Sequence, residues 1–167
     1  MKNNPTLRFG IFAIVMVLAL IIFTKIALPS DISTPRREPS NTSDNTEKNE
    51  MIDMITIRVN DREYKVSMDS NDAAQEFAQS TPFELPMTEL NGNEKYYTGS
   101  DKLKADPSVP DRINIGDLML YGDDTIVLFY DEFKTEYSYT RLGWVRDIDD
   151  LPEVLGSDDV TITFTKN

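Results

Sequence analysis

The chain has 167 residues, 17 basic and 29 acidic side chains, no histidine and no cysteine. Those two zeros exclude disulfides, lipid-anchoring thiols, Cys/His zinc sites, thiolate-held Fe–S clusters and histidine-ligated haem. They also remove Ser-His-Asp and Cys-His nucleophilic machinery, and with it the side chain best suited to proton transfer near neutral pH.

The charge is uneven. Residues 1–50 hold six basic and five acidic side chains, a net of +1, which leaves 11 basic and 24 acidic side chains, a net of −13, for residues 51–167. A field of that sign repels nucleic-acid phosphate, so no nucleic-acid partner is expected. Solubility is the plainest use of the acidity.

Residues 9–28 are apolar on every face apart from Thr24 and Lys25. As a helix they would be about 30 Å long, enough to cross the hydrocarbon core, with Lys25 snorkelling to the headgroups. The expectation is an amino-terminal membrane anchor over residues 1–28, with the membrane itself as a partner. The competing reading is a signal peptide that is cleaved to release a secreted domain. Lys2 and Arg8 suit it, but the cleavage positions are poor: a cut after Ala27 puts Lys25 at −3, and a cut after Ser30 puts Leu28 there. The positive-inside count is nearly even. The short basic tail before the span and the cysteine-free domain after it point to a single-pass protein with its amino terminus inside and its domain outside the cell.

Residues 29–50 have one large aliphatic, Ile32, among Pro, Ser, Thr, Asn and charged residues. They cannot bury enough apolar surface to offset chain entropy and are expected to be a disordered tether spanning roughly 25 Å. The Arg36-Arg37 pair could touch headgroups, although plain solvation explains it as well. Residues 51–167 are long enough for one core.

Within that domain, Ile55, Ile57 and Val59 alternate with polar residues, Asn60-Asp61 turns, and Tyr64, Val66 and Met68 return on one face, as in a hairpin. Residues 69–72 offer helix caps before a short helix over 73–78, which Thr81-Pro82 stops. Phe83, Leu85 and Met87 alternate, with Pro86 marking an edge or irregular strand. Asn91-Gly92 is a strong turn signal. Residues 97–109 read as a polar loop. Strands are expected over 118–121 and, almost wholly apolar, over 125–130. Another is expected over 137–145, then a helical turn over 151–155 and a last strand carrying Val160, Ile162 and Phe164. Short strands at this density predict a mainly β barrel or sandwich.

An ordered set of segments is more specific. It comprises Leu85-Pro86-Met87, Asn91-Gly92-Asn93-Glu94-Lys95-Tyr96, Gly116-Asp117-Leu118-Met119-Leu120-Tyr121, Leu128-Phe129-Tyr130 and Tyr137-Ser138-Tyr139-Thr140-Arg141-Leu142-Gly143. Together they resemble the bacterial cyclophilin-like family over about residues 55–164. The resemblance implies a closed antiparallel barrel of about eight strands with short helices. It also bears on catalysis. True cyclophilins are peptidyl-prolyl isomerases that use a Phe-His-Arg segment and a further histidine, and this chain has no histidine. No catalytic residue can be carried over.

Candidate ligand-binding residues are Glu94, Lys95, Tyr130, Tyr139 and Arg141. If residues 137–145 are a strand, Tyr137, Tyr139 and Arg141 share a face, and an arginine beside aromatics can grip a peptide carbonyl. The plainer reading is a rim arginine paired with a local acid, with Tyr and Trp144 as barrel packing, and it carries more weight. Glu94 and Lys95 could sit at a barrel mouth near Tyr130 or Arg141; a solvated ion pair at a hairpin end outweighs that. Asp147-Ile148-Asp149-Asp150 lacks the frame of a calcium loop, because Pro152 stands where glycine belongs. The acid pairs Asp123-Asp124 and Asp158-Asp159 read as turns. No metal and no cofactor are expected. The function expected is a membrane-anchored, non-catalytic module that binds a peptide or small ligand. A divergent prolyl isomerase assisting exported proteins is the alternative, and a structural envelope component is a third. The sequence leaves the oligomeric state open.

Overall fold

Alternation begins the fold. β1 (Met54–Val59) and β2 (Arg62–Met68) pair as an antiparallel hairpin across Asn60, which turns at φ 52°. Ile55, Ile57 and Val59 then share one face with Tyr64 and Val66, and all five are buried. The structure is a computed structural model that describes residues 50–99 and 101–167. The expected membrane span and nearly all of the expected tether, including Arg36-Arg37, lie outside the described residues. Among the described residues no helix is long and apolar enough to cross a membrane.

Helix α1 (Asp72–Ser80) follows, capped by the Asn71 side chain, which accepts from Ala74 N at 2.9 Å. It buries Ala73, Ala74, Phe77 and Ala78. It ends where Thr81 turns extended ahead of Pro82. The remaining strands are β3 (Phe83–Leu90), β4 (Glu94–Thr98), β5 (Asp117–Tyr121), β6 (Thr125–Phe129), β7 (Thr140–Val145) and β8 (Val160–Lys166). Helix α2 (Leu151–Leu155) lies between the last two. Every neighbouring pair is antiparallel, and the order β1-β2-β7-β5-β6-β4-β3-β8 closes on itself. Closure leaves no strand with a single neighbour.

The interior is filled from every side by Ile57, Val66, Met87, Leu118, Leu128, Leu142, Ile162 and Phe164. Phe77 of α1 plugs one end, meeting Phe83 and Phe164 edge-on at 5.2 Å each. A second buried cluster lies on the opposite, outer face of β5 and β6, where Met119, Val127 and Phe129 pack with Ile113 and Tyr139.

Three details differ from the expected elements. Residues 97 and 98 belong to β4, which pairs with β6 over its whole length, so the polar loop starts at Gly99. The last strand before α2 begins at Thr140, not at residue 137. Tyr139 is held by an isolated bridge to Ser108, so Tyr137, Tyr139 and Arg141 do not form one strand face. Pro86 sits in β3 where only β8 runs alongside; β4 joins at Thr88. A proline without an N–H fits there because that stretch has one ladder to fill.

Gly143 marks the tightest strand approach. A Cβ there would fall 2.2 Å from Ser67 O and 3.2 Å from Met68 Cα, both backbone atoms of β2. Backbone held in a closed ladder cannot yield cheaply, so Gly143→Ala should lower stability by about 3 kcal/mol. The urea midpoint of the variant measures this; an unchanged midpoint would show that β2 and β7 are less tightly joined than described.

Candidate binding site

The hairpin at Asn91-Gly92 sets the first cluster. Both residues adopt positive φ, 57° and 72°, and the turn brings Glu89 opposite Lys95. Side chains alternate along β4, so Glu94 and Lys95 point to opposite faces and cannot pair. Lys95 faces inward with Leu128 and is fully buried. Its ammonium donates to Glu89 Oε2 at 2.5 Å, Gly156 O at 2.8 Å and Asp158 O at 2.7 Å, and it lies 5.1 Å from the Tyr130 ring centre. Tyr130 donates to the same Glu89 oxygen at 2.7 Å, and Gly92 N donates to the other at 2.7 Å. Burial pushes the Glu89 carboxyl up, but the bonds from Lys95, Tyr130 and Gly92 outweigh it and hold it below its ordinary value. Burial, followed by the Glu89 contact, drives the Tyr130 phenol well up. With all three ammonium protons used, Lys95 and Tyr130 close the barrel end. Lys95 is no solvated pair, because tertiary closure folds the 156–158 carbonyls over it.

The second cluster is a groove of about 340 Å³ on the outer face of β5 and β7. Met119 and Tyr139 give it an apolar floor, and Asp69, Asp106, Asp117 and Arg141 supply polar walls. Arg141 and Met119 are cross-strand partners, which is why both project into it. Arg141 Nε donates to Asp69 Oδ2 at 2.7 Å and Nη2 to Oδ1 at 3.3 Å. Its guanidinium lies 5.3 Å from the centre of the Trp144 ring, and Trp144 is itself exposed, not barrel packing. The Asp69 bond, opposed by some desolvation, holds the Arg141 pKa up. Asp117 is buried and accepts from Asn114 N at 2.8 Å. Arg112 pairs with Glu132 at 3.1 Å.

Glu94 belongs to neither cluster. It faces outward opposite Phe129, on the side of the aromatic group in which Phe129 meets Tyr139 and Phe133 at 5.6 Å each. It is 6 % exposed. Burial first, and the negative charge of Glu89 second, raise its carboxyl to about 7. Burial, then the Glu94 charge, push the Tyr139 phenol far up.

The five expected site residues are thus divided. Lys95 and Tyr130 meet at the sealed barrel end, Tyr139 and Arg141 meet in the groove, and Glu94 stands behind Tyr139. The groove is lined by Arg141 but by neither Tyr130 nor Glu94. Glu89 carries no motif of its own, although the three-residue turn at 91–93 places it opposite Lys95. Asp69 and Met119 gave no local signal, since only the β2–β7–β5 ladder brings them beside Arg141. Asp150, in the acidic run at 147–150, accepts from Tyr64 Oη at 2.9 Å and pairs with Arg62. Among the described residues no group of three acidic side chains is placed to hold a metal ion.

The structure is a closed eight-stranded antiparallel barrel with two short helices and a groove on its outer wall. A sequence model of the cyclophilin-like family matches residues 57–165, and the chain belongs to that family. No curated protein matches it. Among solved structures it is similar to the solution structure of a hypothetical protein from Archaeoglobus fulgidus. That match has a TM-score of 0.53 and 16 % identity, covering 72 % of this chain and 99 % of the archaeal one. At that identity the likeness concerns the fold.

Proposed function

We propose that the protein is a non-catalytic binding module, tethered to the outer side of the cell membrane by residues 9–28, whose groove takes an extended peptide segment. The observation that carries the binding reading is the groove itself. An apolar floor of Met119 and Tyr139 lies beside Arg141, whose guanidinium is fixed by Asp69 and stacked on Trp144. A preoriented guanidinium over an apolar strip suits a main-chain carbonyl flanked by side chains. The absence of histidine supports binding over isomerisation. The apolar run at residues 9–28 supports the tether, and retention of the chain in carbonate-washed membranes tests it.

The groove is tested with the full-length chain in neutral detergent micelles. Arg141 is about half exposed, so its ion pair with Asp69 contributes at most about 1 kcal/mol to folding. Arg141→Ala should therefore cost no more than about 1 kcal/mol of folding stability while weakening binding of short peptides about tenfold, or about 1.4 kcal/mol. Acceleration of prolyl-peptide isomerisation by the wild type, lost in Arg141→Ala, would replace the binding reading with the isomerase one.

A further inference from the structure

The charges that line the groove do not balance. Both of its guanidiniums are committed, Arg141 to Asp69 and Arg112 to Glu132. Asp106 and Asp117 line it too, and neither belongs to an ion pair among the described residues. Asp106 is exposed, but Asp117 is only 6 % exposed. Asp117 Oδ2 accepts from Asn114 N at 2.8 Å and from Asn114 Nδ2 at 3.3 Å, which fixes the carboxylate. No hydrogen bond among the described residues reaches Oδ1. That oxygen is not sealed either, because Asn93 Oδ1 is the only fully buried side-chain polar atom among them that lacks a partner. The free oxygen of Asp117 therefore opens onto the groove that the residue lines. Arg141 feels the Asp117 charge, but both of its hydrogen bonds go to Asp69. A mostly buried carboxylate with only neutral donors is stabilised by an incoming cation.

The ladder sets this oxygen beside an occupant. Asp117 and Met119 are two residues apart on the outer face of β5, and Met119 lies opposite Arg141. Two residues of strand span about 7 Å, a reach within that of a lysine or arginine side chain. Met119 and Tyr139 form the floor of the groove, an apolar strip on which such a stem can lie while its head stays with the acid. The net charge of −13 on residues 51–167 draws a basic partner towards the domain.

We infer that Asp117 determines what the groove accepts: it takes the cationic head of a lysine or arginine in the bound peptide, with the stem over Met119 and Tyr139 and Asp106 adding negative charge to the same groove. This rests on the peptide-binding reading and narrows it to basic segments. Arg141 holds the main chain and Asp117 selects the side chain.

The test uses three fluorescently labelled, end-blocked decapeptide pools with uncharged randomised positions and lysine, arginine or norleucine fixed at the centre. Anisotropy is read at pH 7 with the full-length chain in neutral detergent micelles. At least one basic pool should bind about tenfold more tightly than the norleucine pool, as expected for a charge-assisted hydrogen bond, and the comparison of the two shows which head fits. Asp117→Asn keeps an oxygen for Asn114 but no charge, and should bring the ratio of basic to norleucine binding close to one. A second measurement needs no variant: the Asn114 amide proton, which donates to Asp117 Oδ2, should shift its NMR resonance further with the preferred basic pool than with the norleucine pool, both at saturation. Equal binding of the three pools, a basic preference that survives in Asp117→Asn, or the same Asn114 shift with both pools overturns the role of Asp117 and leaves the groove standing. Failure of all three pools to bind overturns the groove and the selection together.

Discussion

Replacing Lys95 with methionine should destabilise the domain by about 3 kcal/mol, a large part of the stability of a domain this size. Methionine keeps the volume but none of the donors. Glu89 Oε2 would lose one of its two donors, and the carbonyls of Gly156 and Asp158 would be left without the ammonium that joins them to β4. Removing one member of a buried pair costs more than removing both, because an uncompensated charge stays behind. The double variant Lys95→Met/Glu89→Gln should therefore be less destabilised than the sum of the two single changes, by 1 kcal/mol or more. Urea unfolding followed through the single Trp144 measures all four proteins. A cost below about 1 kcal/mol for Lys95→Met would show that the lysine is not what closes this end of the barrel.

The second large effect has the opposite sign. Glu94 holds its proton more tightly folded than unfolded, with a carboxyl raised from 4.5 to about 7. Its contribution to stability is fully present below about pH 4.5 and is lost as pH rises through about 7. The wild type should thus lose stability over this window relative to Glu94→Gln, which carries no titrating group. The shift corresponds to at most about 3 kcal/mol. Burying the amide of glutamine offsets part of that, so Glu94→Gln should be more stable by about 2 kcal/mol at pH 8 and equal or slightly less stable at pH 4.5. Parallel curves for the two proteins from pH 4.5 to 8 would mean that the Glu94 carboxyl is solvated and not confined among the aromatic rings.

These two residues also show how far the local pattern reaches. Glu94 and Lys95 are neighbours after an Asn-Gly turn, and as a linear string they read as one exposed ion pair. A strand sends them to opposite faces, so one enters the barrel and the other stands against its outer wall. Neither environment is encoded nearby: the 156–158 carbonyls that fix Lys95 lie about 60 residues away, and Tyr139, behind which Glu94 stands, lies about 45 away. Arg141 gives the same lesson in milder form. A local acid was the expected partner, and Asp69 is local only because β2 and β7 lie side by side.

The run of short strands, the turns at Asn60-Asp61 and Asn91-Gly92, a short helix capped from within residues 69–72 and the family were legible in the linear chain, along with the chemistry that a chain without imidazole or thiol lacks. Those properties depend on period-two alternation, on residues tolerant of positive φ, and on composition, all of which are local. Closure of the barrel through β8 onto β1, the sealing of Lys95 while Glu94 is stranded, and the place of Tyr139 between a groove and a buried acid come from contacts between segments far apart in the chain. Burial and pairing are properties of groups brought together across the chain, and the free energy of a charge is set by what surrounds it once the sheet has closed.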